Sequence, residues 1–273
     1  DASLTFEFEI SSTANANSSK IIPQAIINGT IYSNTVEHIQ YDHIPVQTQV
    51  RSASISIEKI NLNVKGKKAG YIPGAGDEIP EALKNMGFEV VMLTDDYMNT
   101  QDLSNLDVIV AGIRLYNTSD KMQSYYDKLM NYVFNGGNYV VQYNTNNFIS
   151  SVSAKIGPYP FQIGRDRVTD EKAKMNVNNA SDPLLNYPNK ITETDYENWV
   201  QERGLYFLTN IDEHYTKTYT VNDPSEKPND GMMISCKYGK GVFTYTGISF
   251  FRQLPAGVPG AYRLFANIVS QTR

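Results

Sequence analysis

Apolar and polar residues alternate near the start of the chain. Leu4, Phe6, Phe8 and Ile10 are set against Thr5, Glu7 and Glu9, the two-residue period of a half-buried strand. Residues 11–19 are small and polar and read as a loop. Short strands are predicted over Ile21–Ile27, Thr30–Tyr32 and Val36–Tyr41, with Asn28-Gly29 as a hairpin turn between the first two. From Ser54 the alternation resumes through Ile55, Ile57, Ile60, Leu62 and Val64, and the slip after Ile57 suggests a bulge. Residues 1–66 therefore read as a small β domain, a β-sandwich or part of one. Its strands are too few to close a sandwich alone.

The rhythm changes at Lys67. A strand over Lys67–Ile72 runs into Pro73-Gly74-Ala75-Gly76-Asp77, and a helix follows over Glu78–Met86, with Asp77 as its cap and Gly87 as its stop. Strands are predicted over Phe88–Leu93 and Asp107–Ala111, the second almost wholly aliphatic, as buried parallel strands are. In Lys121–Phe134, Met122, Tyr125, Leu129, Tyr132 and Val133 share one helical face, and Asn135-Gly136-Gly137 ends the helix before a strand over Asn138–Tyr143. This order predicts an α/β domain over 67–273 with a mainly parallel sheet and helices on both faces. Residues 144–230 are rich in Asn, Pro and Asp, with a helical segment expected near Thr194–Gln201. A hairpin is expected over Met232–Lys237 and Val242–Ser249, and a closing helix over Ala261–Ser270.

Composition narrows the function classes. Of 273 residues 41% are hydrophobic, enough for a packed core, and the formal net charge of −5 argues against a nucleic-acid partner. No apolar run reaches the about eighteen residues needed to span a bilayer. The chain starts at Asp1 without a charged-then-apolar leader and reads as a piece of something longer. A single cysteine, Cys236, excludes an internal disulfide or a multi-thiolate zinc site. Its mid-strand place suits a buried thiol better than a nucleophile. The three histidines, His38, His43 and His214, form no metal-binding spacing.

In a parallel sheet, ligands bind outside the carboxyl ends of the strands. Pooled there are Asp77, Arg114, Asn117, Gln142, Asn144, Arg252 and Gln253. The loop through Gly76 and Asp77 either cradles an anion at a helix N-terminus or is a tight turn that needs glycine. It lacks the third glycine of a dinucleotide fingerprint and the lysine of a phosphate loop. Arg165-Asp166-Arg167 and Glu202-Arg203 are dense charges in a lightly charged chain. They read as an ion-pair scaffold or as an arginine-lined pocket for a carboxylate, a phosphate or a sugar. The candidate ligand contacts are Arg114, Asn144, Arg165, Arg203 and Arg252, oriented by Asp77 and Glu202, with Gly76 at the loop. Nineteen tyrosines and Trp199 suit carbohydrate contact as well as core packing. Paired carboxylates such as Asp77 and Glu202 are the basis of an alternative, a carbohydrate hydrolase. A purely structural docking module is a third reading.

Three longer stretches carry a resemblance: residues 71–77 (Tyr-Ile-Pro-Gly-Ala-Gly-Asp), 199–207 (Trp-Val-Gln-Glu-Arg-Gly-Leu-Tyr-Phe) and 249–261 (Ser-Phe-Phe-Arg-Gln-Leu-Pro-Ala-Gly-Val-Pro-Gly-Ala). Tyr41-Asp42-His43-Ile44-Pro45 and Gly157-Pro158-Tyr159-Pro160 add to it. Residues 40–273 resemble the C-terminal module of long bacterial LmbE-like (PIG-L) deacetylases. The resemblance implies a flavodoxin-like, class I glutamine amidotransferase-like fold for 67–273. It also implies a parent that removes N-acetyl groups from amino sugars with zinc, periplasmic or extracellular, whose deacetylase domain partners this module in cis. That family's His-Pro-Asp-Asp run is absent, so zinc belongs to the parent's catalytic domain and no cofactor is expected here. An active glutaminase has a cysteine after the strand that here ends Gln142-Tyr143-Asn144. A His-Pro-Glu run follows its late strand, where this chain has Phe251-Arg252. The resemblance thus implies a non-catalytic accessory module that binds a glycan or amino sugar, or docks on its parent domain.

Overall fold

Side-chain alternation in five central strands sorts the apolar residues onto two faces of one sheet, and each face carries its own core. A computed structural model of the chain describes residues 4–7, 18–147 and 152–271. It falls into two units, Asp1–Asn61 and Leu62–Arg273.

Among its described residues the first unit holds three antiparallel ribbons. β1 (Ser18–Ile21) pairs with β6 (Ile55–Glu58), β2 (Ala25–Ile27) with β3 (Thr30–Tyr32), and β4 (Asn34–Tyr41) with β5 (Ile44–Ser52). Asn28 (φ 51°) and Gly29 (φ 81°) make the expected left-handed turn between β2 and β3. None of this unit's described residues is buried, and Ile26, Ile31, Val36, Val46 and Val50 are all exposed. Of the strand expected over Leu4–Ile10, residues 4–7 carry no strand and 8–10 lie outside the described residues. The second unit starts before the expected boundary at residue 66, because Leu62 and Val64 pack into its core. Between them, Asn63 N donates to Asn189 Oδ1 at 2.8 Å.

The second unit follows the predicted order closely. β7 (Lys68–Ile72), α1 (Ile79–Asn85), β8 (Glu89–Met92), α2 (Asp95–Thr100), β9 (Val108–Ala111), α3 (Leu115–Thr118), α4 (Met122–Phe134) and β10 (Asn138–Gln142) come first. The long segment that follows holds short pieces: β11 (Gln162–Ile163), β12 (Asn176–Val177), α5 (Pro183–Asn186), β13 (Leu208–Thr209), β14 (Thr216–Lys217) and β15 (Tyr219–Thr220). β16 (Met233–Tyr238), β17 (Gly241–Thr246), α6 (Phe250–Gln253) and α7 (Pro259–Val269) close the chain. The sheet order is β14-β16-β17-β10-β9-β7-β8. From β17 to β8 all pairs are parallel, while β14 and β16 are antiparallel. In chain order the parallel strands run 2-1-3-4-5, a common doubly wound arrangement that reverses between β7 and β9.

On one face Ala69, Tyr71, Val108, Val110 and Val140 meet Ile79, Ala82 and Leu83 of α1 and Leu264, Phe265 and Ile268 of α7. On the other, Ile72, Ile109, Ala111, Tyr139 and Val141 meet Met98 of α2 and Met122, Leu129 and Val133 of α4. The helix expected near Thr194–Gln201 shrinks to a 3₁₀ turn, Glu193–Tyr196. Tertiary ties explain this. Asp195 accepts from Thr192 N at 2.8 Å and pairs with Arg263 at 2.8 Å, and Trp199 Nε1 donates back to Asp195 O at 2.9 Å.

Candidate functional site

The loop after β7 crosses the loop after β9 where the sheet order reverses. Ala75 N donates to Ile113 O at 2.8 Å. A Cβ on Gly74 would lie 2.1 Å from that same Ile113 oxygen, so only glycine lets the loops come this close. Gly76 (φ +104°) turns the chain outward in the left-handed region. Asp77 then points back into the crossing. Its Oδ1 accepts from Tyr71 Oη at 2.7 Å and Ile79 N at 3.0 Å, and its Oδ2 from Ile113 N at 2.9 Å and Gln142 Nε2 at 3.2 Å. These four bonds use its acceptor capacity. The amide cradle at the start of α1 is thus filled by the chain's own carboxylate. Burial, and then the charge of Asp77, push the Tyr71 phenol far above its ordinary pKa.

Further along the same edge the character changes. Arg114 takes left-handed backbone (φ 55°), and its N donates to Tyr143 O at 2.9 Å. Its Nε is shielded from solvent and has no hydrogen-bond partner. Tyr143 is 7% exposed and stacks with Tyr206 (6.1 Å between centroids, 7° between planes) and against Phe251 (5.3 Å). Burial raises the Tyr143 pKa, the charges of Arg114 and Arg252 oppose that rise, and Glu202 adds to it. Arg252 donates from Nε to Glu202 Oε1 at 2.8 Å and lies 4.9 Å above the Phe251 ring.

The segment carrying Glu202 and Tyr206 is clamped over the end of β17. Gln253, fully buried, accepts from Val200 N and donates to Val200 O and Glu202 O. Ser249 Oγ donates to Glu202 O at 2.9 Å, and Leu205 N to Gly247 O at 2.9 Å. Tyr206 (φ 53°) is left-handed like Arg114. Two such residues beside one aromatic cluster are local strain held in place by the surrounding bonds.

Of the sequence-predicted contacts, Arg114, Glu202 and Arg252 come together around Tyr143. Asn144 and Arg203 do not present themselves to a ligand. Asn144 is fully buried, accepts from Tyr116 N at 2.9 Å and donates to Gln142 O at 3.0 Å. Arg203 is 3% exposed. It donates to Ala173 O and Tyr196 O and lies 5.0 Å above the Trp199 ring, and burial lowers its pKa. Both spend their donors on backbone carbonyls. Arg165 is exposed and donates from Nε to Asn146 O at 3.1 Å. Residues missed from the sequence are Tyr143, Tyr206 and Phe251. For Tyr143 and Phe251 the available signal was an aromatic directly before a predicted polar contact, Asn144 and Arg252; Tyr206, between Leu205 and Phe207, had none.

Cys236 lies mid-strand opposite Phe243, buried, with its thiol pushed up to about 12 by burial and then by the charge of Asp212. His214 bonds Asp212 at 2.6 Å and stacks on Tyr159 at 4.1 Å. A cavity of about 670 Å³ lies over Tyr126, Asn146, Lys155, Tyr159 and Phe161, and none of the predicted site residues lines it. Among the described residues no group of three or more His, Cys, Asp or Glu is placed to hold a metal, and no helix is long and apolar enough to cross a membrane.

No protein-family model and no curated protein matches the chain. Among solved structures it is similar to PurLQS from Thermotoga maritima (14% identity, 75% of this chain and 98% of that one, TM-score 0.48). It is similar also to the cytoplasmic protein STM3548 from Salmonella typhimurium (14%, 94% and 96%, TM-score 0.47). A third likeness is to a cold-adapted β-galactosidase from Rahnella sp. R3 (15%, TM-score 0.44), where 74% of this chain matches only 31% of that one.

Proposed function

We propose that residues 62–273 form a flavodoxin-like, amidotransferase-like module without catalytic groups, which binds a glycan on behalf of an LmbE-like deacetylase domain in the same parent protein. The 2-1-3-4-5 strand order supports the fold reading. The observation that carries the function is the aromatic and arginine cluster of Tyr143, Tyr206, Phe251, Arg114 and Arg252 at the carboxyl edge. Flat rings beside directional donors suit a sugar face and its polar substituents. The nucleophile position after β10 is held by Tyr143 and Asn144, and the chain's thiol is buried and protonated at ordinary pH. The two carboxylates of the hydrolase alternative are committed elsewhere, Asp77 to four donors and Glu202 to Arg252. The docking reading draws its support from the exposed apolar side chains of the first unit.

Calorimetric titration of the chain with a panel of neutral, amino and acidic oligosaccharides tests the proposal. At least one class is expected to bind, with no release of ammonia from glutamine or of acetate from N-acetylglucosamine oligomers. Turnover of either substrate, or silence across the panel, overturns it.

A further inference from the structure

Building on that reading, we propose that the cluster around Tyr143 is a subsite for a carboxylate borne on a sugar ring, a hexuronate. Arg114 is the central residue. It combines two unfavourable features, a left-handed backbone and a desolvated Nε–H with no acceptor. Nε has no accessible surface as it stands, so the side chain would turn to meet a bound oxygen, and that contact would remove the second of them. Arg252 engages Glu202 through Nε alone, which keeps its two Nη groups for another acceptor. Two guanidinium groups and one carboxylate leave a local charge of one positive unit, which matches a monoanion. The planar fork of arginine fits the two oxygens of a carboxylate.

A phosphate is a poorer match. The amide cradle that would serve it, at the start of α1, is occupied by Asp77. The second negative charge of a phosphate would also exceed the one positive unit that the cluster offers. A neutral sugar would use the half-buried faces of Tyr206 and Phe251 but would leave Arg114 Nε as it stands. The sugar ring therefore belongs over the aromatics, with its carboxylate turned toward Arg114 and Arg252.

The experiment titrates the full chain with D-glucuronate, D-glucose, D-glucose 6-phosphate and acetate. Glucuronate is expected to bind about tenfold or more tighter than the other three. Arg114→Gln is expected to abolish that preference and Glu202→Gln to raise glucuronate affinity several-fold. Thermal melts show that each variant is folded, and Arg114→Lys, which keeps the charge but not the fork, is expected to recover only part of the affinity. Equal binding of glucose and glucuronate overturns this inference and leaves the module reading intact. Preference for the phosphate sugar, or an unchanged preference in folded Arg114→Gln, also overturns it. Failure of every sugar to bind here overturns this inference, and only silence across the oligosaccharide panel brings down the module reading as well.

Discussion

The carboxyl edge of the sheet has two halves that use the same materials to opposite ends. Where β7 meets β9, a glycine-bearing loop, a helix start and a buried glutamine converge, the makings of an anion site. There the chain supplies its own anion, Asp77, and four donors close on it. Where β10 meets β17, the edge carries cations and aromatic faces, and one buried donor, Arg114 Nε, is left unmatched. The place where a doubly wound sheet ordinarily receives its ligand is thus sealed. An unmatched acceptor remains there in Gln142 Oε1, while the unmatched nitrogen donor, Arg114 Nε, lies further along the edge.

The comparison breaks first at Asp77. Asp77→Ala strips the acceptor from Tyr71 Oη, Ile79 N and Ile113 N at once, and a loss of about 3 kcal/mol is expected, read as a lower urea midpoint with an unchanged slope. A loss below about 1 kcal/mol would mean that the sealed half is not a structural clasp. The next effect tests the floor beneath both halves. Burial raises the Cys236 thiol from 9.0 to about 12 and the Tyr196 phenol from 10.0 to about 12. The unfolded chain therefore gives up these protons first as pH rises, so stability is complete below about pH 9 and falls between there and about pH 12. Urea midpoints measured across that range check the sign. The smallest effect sharpens the open half. Arg114→Gly relieves the left-handed backbone, so stability is expected to hold or rise by about 1 kcal/mol while acidic-sugar binding is lost. A destabilised glycine variant would make Arg114 a structural residue.

Local periodicity made most of the second unit legible. β7, β9, β10 and α4 have apolar patterns that commit each to one or both faces of the sheet, and the structure places them within a residue or two of expectation. β5 was not among the expected strands; Pro45 and the polar run Gln47-Thr48-Gln49 interrupt its apolar pattern. In fact Tyr41 pairs directly with Ile44 across a two-residue turn. α2 was missed because it is short and begins with polar residues, Thr94 capping Tyr97 N. In the site, strand ends foretold Arg114 and Arg252, but residue type could not separate an arginine facing a crevice from one buried on backbone carbonyls. Arg203 is the second kind, and only the contact with Trp199 and the Ala173 and Tyr196 carbonyls shows it. Nor is left-handed geometry at Arg114 or Tyr206 visible in a residue name, since only glycine and asparagine advertise it.

The lone thiol on β16 gives the molecule a built-in reporter. Walled in and uncharged, it has nothing to offer an alkylating reagent until the β16–β17 hairpin parts. The rate at which one label accumulates on the intact chain is therefore a clock for that opening. A second cysteine placed anywhere on the surface would take up dye alone, ready for distance measurements without first removing the native one.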